Sequence, residues 1–198
     1  MKSQLRLTAK NNRAKINTIN NKNCLTENHV NNCLDKVLFN KRDIEYVSLY
    51  YPMHNEISPF GFIKYFNLNN IKLTLPVVKT QSRSLSFKEW DLKDKLKRGK
   101  LGNLEPLYNV SNFLPQLMIV PMLMFDKNLN RLGYGGGYYD KSIDYLKKHF
   151  NGKKKDFVTI GLAYSIQQTK SIPHEAHDQP LDFIITEKQL LSKSNEIN

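Results

Sequence analysis

Four of the chain's nine glycines fall within five positions, Gly133 to Gly137, in the run Arg-Leu-Gly-Tyr-Gly-Gly-Gly-Tyr-Tyr-Asp that spans residues 131–140. A helix or strand interior is weakened by glycine at that density, so the run must be a loop. Before it lies the apolar stretch 117–125, closed by Asp126, which reads as a central strand buried on both faces. After it, Ile143, Leu146 and Phe150 recur at helical spacing. Strand, glycine loop, helix is the order in which bare backbone N–H groups and a helix N-terminus can cradle phosphates. Arg131 supplies a planar fork for phosphate oxygens, and Asp140 a carboxylate able to hold a metal ion. Neither the GxxxxGK(S/T) of a P-loop nor a GxGxxG opening a dinucleotide fold is present. A purely structural reading has Asp140 capping the helix and Tyr138 and Tyr139 packing. Two adjacent aromatics and a carboxylate at a helix start favour the anion site.

The rest of the chain alternates between the two periodicities. Residues 2–40 are polar and helix-like: a first helix, a break near 20–26, and a second helix to Phe39 with Thr26 as its cap. Strands are expected at 45–51, 71–78, 84–87, 157–163 and 182–186, where β-branched and aromatic residues concentrate. Helices are expected over 55–66, with Pro59 in the first turn, and over 90–96. Residues 104–107 read as a turn, and a helix or frayed tail follows Glu187. Strands alternating with helices predict an α/β fold, a three-layer α/β/α arrangement around a mixed, mainly parallel sheet of Rossmann-like topology. One domain over 1–198 is expected, a helical segment 2–40 packed on a core spanning 44–190. Ligands in such sheets bind beyond the carboxyl ends of the strands, where the glycine loop is expected.

Composition narrows the function classes. The net charge of +12 suits an anionic partner, yet the lysines are spread along the chain instead of gathered in one arm. Most of that charge reads as a solvated surface with a local anion site embedded in it. Cys24 and Cys33 form no metal-ligand spacing and fit a reduced compartment better than a disulfide framework. The first residues do not lead into an apolar signal segment, and no apolar run reaches membrane-spanning length. A cytoplasmic protein with no membrane partner is expected.

Two further constellations carry chemistry. His174, Glu175, His177 and Asp178 cluster in a proline-bounded loop. The spacing is poor for zinc, but Asp178 suffices for magnesium shared with substrate phosphates. Residues 50–56 run Tyr-Tyr-Pro-Met-His-Asn-Glu from a strand end. There Glu56 can serve as a helix-terminal charge or as an acceptor for a ligand.

Together these residues resemble a known family. The run 131–140 closely resembles the signature of 5-formyltetrahydrofolate cyclo-ligase, also called methenyltetrahydrofolate synthetase. Lys2 to Arg6 resembles that family's N-terminal Lys-x-x-Leu-Arg element, and Tyr50 to Glu56 its first strand leading to a substrate glutamate. Leu75-Pro76, Leu85 to Phe87 with Trp90, and Glu105-Pro106 follow its middle section in order. Pro173 to Asp178 and Leu181 to Glu187 resemble its closing segment. The resemblance implies an ATP- and magnesium-dependent cyclisation of 5-formyltetrahydrofolate, with the formyl oxygen phosphorylated and then displaced. It implies Arg131 and Tyr139 as catalytic residues. ATP would be held by Lys2, Arg6 and the segment Arg131, Leu132, Gly133, Tyr134, Gly135, Gly136, Gly137, Tyr138 and Tyr139. The folate would meet Tyr51, Glu56, Tyr138 and a Trp90 wall, and magnesium Asp140 and Asp178. Some relatives carry basic residues where this chain has Tyr134 and Gly136.

Two other classes compete with a monomeric ligase of small molecules. A nucleic-acid-binding module would interleave basic residues with aromatics on one face. Here the aromatics sit at strand ends and in the glycine loop. Another phosphate-ligand α/β enzyme, such as a sugar-phosphate isomerase, would need an acid–base pair of its own, and none stands out.

Overall fold

A computed structural model describes residues 2–14, 25–39, 44–107, 112–153 and 156–193. Two helices, α1 (Lys2–Ala14) and α2 (Glu27–Leu38), precede β1 (Tyr46–Ser48). A 3-10 turn at Pro59–Phe62 leads into α3 (Ile63–Leu68), which returns the chain to β2 (Lys72–Lys79). Then come β3 (Ser84–Glu89), β4 (Leu96–Arg98), β5 (Leu104–Pro106), β6 (Asn112–Phe113) and β7 (Leu117–Pro121). A hairpin of β8 (Met124–Phe125) and β9 (Arg131–Leu132) carries the chain to α4 (Tyr138–Phe150). The last strands are β10 (Val158–Leu162), β11 (Phe183–Ile185) and β12 (Leu190–Ser192).

The main sheet has the order β12-β11-β10-β7-β1-β2-β3-β6. Its inner strands β11, β10, β7, β1 and β2 pair in parallel, while β12, β3 and β6 join antiparallel at the edges. The sheet is therefore mixed and mainly parallel, as expected. Read in chain order, the parallel strands lie 2-1-3-4-5, the doubly wound order whose switch point falls between the first and third. Those two strands are β1 and β7.

Side-chain alternation in β7 decides the layers. Leu117 and Ile119 enter one core cluster with Val30, Leu34 and Val37 of α2 and Ile63 and Phe66 of α3. Met118 and Val120 enter the other, against Ile143, Leu146 and Phe150 of α4. The three α4 residues are those marked by helical spacing. Thr26 caps α2 through a bond from the His29 N–H to its hydroxyl. Cys33 is a free, buried thiol of the α2 face; Cys24 and the expected break near 20–24 lie outside the described residues. The two N-terminal helices part company: α2 packs on the sheet, whereas Leu5 and Ala9 of α1 pack with Leu123, Met124, Leu132 and Ile172 around the β8–β9 hairpin.

Several expected elements are corrected. The apolar run 117–125 is not one strand. It leaves the sheet after Pro121, and β8 pairs with β9, putting Met124 beside Leu132. Residues 90–96 do not form a helix, because β3 extends to Glu89 to complete its ladder with β2, and 96–98 pairs with 104–106. That second hairpin turns at Gly102, φ 83°. Residues 190–192 pair with β11, so strand pairing overrides the helical propensity of two leucines. The helix over 55–66 begins only at Ile63, behind the 3-10 turn that Pro59 starts.

Candidate active site

A cavity of about 1120 Å³ opens at the switch point. Tyr50 and Tyr51, just past β1, and Pro121, at the end of β7, line its floor. The hairpin β8–β9 delivers the glycine loop to its mouth. That hairpin is pinned by Asp126, whose buried carboxylate accepts from the N–H groups of Asn128, Asn130 and Ile172. Gly137 stands at the N-cap of α4 in the left-handed region, φ 69°, and no side chain caps the helix. Among the described residues, the N–H groups of Gly133 to Gly137 donate no hydrogen bond to the protein. They and the helix's first turn form a concentrated set of donors with positive end-charge.

Helix α1 lies across this loop. The Arg6 Nε donates to the Gly133 carbonyl at 3.0 Å. Gly135 has φ 100°, and a Cβ there would stand 3.1 Å from the Arg6 guanidinium carbon. The backbone conformation favours glycine, and a side chain there would also push the guanidinium aside. Lys2 closes the other side, donating to Asp178 Oδ2 at 2.7 Å and pairing with Glu175 at 2.8 Å. Burial works against the Lys2 ammonium, but the two carboxylates outweigh it and raise its pKa. Burial likewise acts to raise Asp178, and the Lys2 bond and the Glu175 N–H overcome it, leaving a lowered pKa.

The opposite wall centres on Glu56. Its side chain is 4 % exposed. Oε2 accepts from the Met53 N–H at 2.9 Å and Oε1 from the Tyr134 hydroxyl at 2.9 Å. Burial raises the Glu56 pKa; the Met53 and Tyr134 bonds and the Arg13 charge oppose that rise without cancelling it. His54, φ 53°, occupies the left-handed region in the same turn. Burial, reinforced by Glu56, pushes the Tyr139 phenol well up. Tyr139 is therefore a neutral hydrogen-bonding group at physiological pH, not a base.

The structure brings most of the sequence-marked residues together: Lys2, Arg6, Tyr51, Glu56, 131–140 and Asp178 all line this cavity. Arg131 is more constrained than its sequence position suggests. Its side chain is 5 % exposed, donating to Asp140 at 2.9 Å and to the Gln179 carbonyl at 2.6 Å. Asp140 Oδ1 also accepts from the Gln179 N–H. The pair thus ties β9, α4 and the 173–180 loop together. Trp90 stands one layer back, 4 % exposed, in edge contact with Tyr51 and with its ring tilted against Phe60, and does not line the cavity. Lys10, Arg13, His54 and Arg83 also line it and were missed. For the first two a signal existed: Lys2, Arg6, Lys10 and Arg13 fall on one helical stripe. Arg83, at a turn with φ 50°, gives no such signal.

Magnesium needs only one or two protein carboxylates beside phosphate oxygens and water. Asp140 Oδ2 and Asp178 Oδ1 accept no hydrogen bond among the described residues, although His177 Nε2 lies 3.8 Å from the latter, and both aspartates line the cavity. Among the described residues, no group of three His, Cys, Asp or Glu forms a closed metal site. The donor set fits a substrate-bridged hard cation and not an all-protein cage.

A doubly wound α/β fold whose switch-point cavity joins a loop of bare N–H donors to a carboxylate-bearing wall defines a class: α/β proteins with their candidate site at the carboxyl edge of the parallel strands. Similarity to known proteins narrows that class. The chain belongs to the 5-formyltetrahydrofolate cyclo-ligase family, whose profile matches residues 1–187. A relative named 5-formyltetrahydrofolate cyclo-ligase in Haemophilus influenzae is 34 % identical over 149 residues, covering 73 % of this chain and 76 % of that protein. The solved structure of a 5,10-methenyltetrahydrofolate synthetase from Mycoplasma pneumoniae superposes with a TM-score of 0.66 at 24 % identity, covering 94 % and 98 % of the two chains. That of the Aquifex aeolicus 5,10-methenyltetrahydrofolate synthetase gives 0.64 at 27 % identity, covering 100 % and 95 %.

Proposed function

We propose that this chain converts 5-formyltetrahydrofolate to 5,10-methenyltetrahydrofolate, using ATP with magnesium and releasing ADP and phosphate. The observation that carries this reading is the shared cavity. The bare N–H groups of the glycine loop and the cations of α1 line one side, and Glu56 and Tyr51 the other. Family membership supplies the ligand identities.

The formyl oxygen is a poor leaving group. Transfer of the γ-phosphoryl group to it makes a good one, and the formyl carbon becomes electrophilic. The second folate nitrogen attacks that carbon and gives up its proton. Phosphate then departs with the carbon–oxygen bond, leaving the methenyl bridge. The protein's part is positioning and charge neutralisation. The Gly133 to Gly137 amides, the α4 N-terminus, Arg6 and Lys2 receive phosphate oxygens. Arg131 acts chiefly by fixing Asp140 and the loop's exit into α4. Asp140 and Asp178 would hold magnesium, which supplies charge neutralisation between phosphates. Glu56 accepts from pterin N–H groups, Tyr51 and Tyr138 flank the ring, and neutral Tyr139 donates at the reacting edge. Trp90 supports Tyr51 from behind instead of touching the ligand.

A monomeric, cytoplasmic protein acting on small molecules, as one unit over 1–198, fits this chemistry. Among the described residues, no helix is long and apolar enough to cross a membrane. The test is spectroscopic. Protein mixed with 5-formyltetrahydrofolate, ATP and magnesium develops the near-ultraviolet band of the methenyl product, and omission of any one component abolishes it. A folded chain that stays silent in the complete mixture overturns the reading.

A further inference from the structure

Helix α1 meets the cavity through a basic stripe, and its last member behaves unlike the others. Arg13 is 4 % exposed although it sits in the last turn of a polar helix. Its Nη2 donates to the Tyr134 hydroxyl at 2.5 Å, and its Nη1 reaches the Met122 carbonyl at 3.5 Å and Glu56 Oε1 at 3.8 Å. The guanidinium carbon lies 5.7 Å from the Tyr134 ring centroid, with Lys10 Nζ at 5.8 Å from the same ring. Tyr134 in turn donates to Glu56. Three separate parts of the chain therefore converge on one buried group: the end of α1, the middle of the glycine loop, and the turn after β1.

We infer that Arg13 is a positioning residue for folate recognition: through Tyr134 it locks the glycine loop onto Glu56 and holds that carboxylate as a charged, aimed acceptor. The inference rests on the proposed function. A carboxylate has about four lone-pair sites, and Tyr134 and Met53 occupy one on each oxygen. One site per oxygen is left for paired N–H donors such as a pterin edge presents. A buried carboxylate without a cation beside it would take up a proton and lose one of those two acceptor sites. Arg13 is the guanidinium that opposes this, directly by its charge and through the Tyr134 hydroxyl it holds. The Met53 N–H and the Tyr134 hydroxyl oppose protonation of Glu56 first, through their hydrogen bonds; Arg13 adds its charge and holds the Tyr134 hydroxyl in place, and His54 on the same turn adds less. Tyr50 and Tyr139 are phenols whose ionisation Glu56 itself opposes. The same linkage makes the loop that cradles phosphate and the carboxylate that reads the folate a single mechanical unit.

The experiment compares the full chain with Arg13→Gln, Arg13→Lys and Tyr134→Phe, measuring kcat and both KM values from mildly acidic to alkaline pH. Arg13→Gln is expected to raise the folate KM by about tenfold or more, the effect of losing a hydrogen bond within a charged network. The ATP KM should move far less, and the acid limb of kcat/KM should shift to higher pH. Arg13→Lys should restore part of both effects. Tyr134→Phe, which removes only the bridging hydroxyl, should raise the folate KM in the same sense and add little on top of Arg13→Gln. If Arg13→Gln does not fold, Arg13→Lys and Tyr134→Phe carry the test by the same pH shift. Variants that match wild type, or that weaken both substrates equally with an unmoved acid limb, overturn the role of Arg13 while wild-type turnover leaves the proposed function standing. A wild-type chain that neither binds nor converts the folate overturns both.

Discussion

The two ends of α1 place similar charges in different surroundings. At its start, Lys2 reaches Asp178 and Glu175 on the rim, with side chains 18 %, 23 % and 56 % exposed. At its end, Arg13 meets Glu56 with both side chains 4 % exposed. Rim pairs are screened by water and salt and contribute little to stability. A buried cation–carboxylate contact is different: its desolvation cost is already spent, so removing one partner leaves an uncompensated charge. The rim end can therefore open and close over a ligand at low cost, whereas the buried end holds a fixed geometry. The Arg131–Asp140 pair stands between the two, its guanidinium buried at 5 % exposure and its carboxylate 21 % exposed. One helix thus combines a releasable latch with a rigid anchor.

The largest effect that would sharpen this contrast is expected at Arg131. Arg131→Ala removes a buried partner of Asp140 and should lower stability by about 3 kcal/mol. It should also reduce turnover by about a hundredfold or more through loss of loop geometry. Chemical denaturation followed by steady-state kinetics checks both. An unchanged midpoint would place Arg131 outside the anchor.

Next is Glu56. Glu56→Gln should raise the folate KM by about tenfold or more, as one charged acceptor is lost. It should also abolish the acid limb of the pH profile that Glu56 sets. The sign of the linkage is unusual. Because burial raises the Glu56 pKa, the folded state binds that proton more tightly than the unfolded one. Stability therefore rises as pH falls through the window between the ordinary glutamate value and the raised one, while folate recognition declines. Thermal melts and activity on the same pH series should move in opposite directions, and Glu56→Gln should uncouple them.

Asp178→Asn and Asp140→Asn should each shift the magnesium titration of activity to higher concentration, by about an order of magnitude. Asp140→Asn should in addition destabilise the fold, because it deprives Arg131 of its partner. Equal stability losses for the two would erase the distinction between a carboxylate paired with buried Arg131 and one paired with Lys2.

The smallest effect is expected at Lys2. Lys2→Ala should cost no more than about 1 kcal/mol of stability, decreasing in high salt. The contribution is lost as pH falls through the lowered Asp178 value or rises through the raised Lys2 value, and is flat between. A change in ATP KM larger than the change in melting temperature implies would mark Lys2 as part of the latch.

Much of this architecture was legible because short-range pattern carried it. The 133–137 glycines could only be a loop, residues 143, 146 and 150 could only face one side of a helix, and the 117–125 run announced a doubly covered strand, though only 117–121 stays in the sheet. The edge elements were not legible. Residues 96–98, 104–106 and 190–192 have no strand-like composition, and each becomes a strand by pairing with a neighbour distant in sequence or across a turn. Trp90 marked itself by rarity, yet rarity does not tell a core residue from a wall.

For the site, the sequence alone determined which residue kinds are suited to a phosphate and a second ligand, since backbone donors, guanidinium forks and carboxylates are local chemical properties. Only the tertiary structure decided their duties. Burial made Arg131 an anchor and Glu56 a weaker acid than usual. Strand order set the cavity between β1 and β7. The helix axis carried Arg13, 121 residues from Tyr134 in sequence, to within hydrogen-bond distance of it. Burial and proximity are properties of the folded chain, because the dielectric and the partners that set a group's charge come from segments far away in sequence.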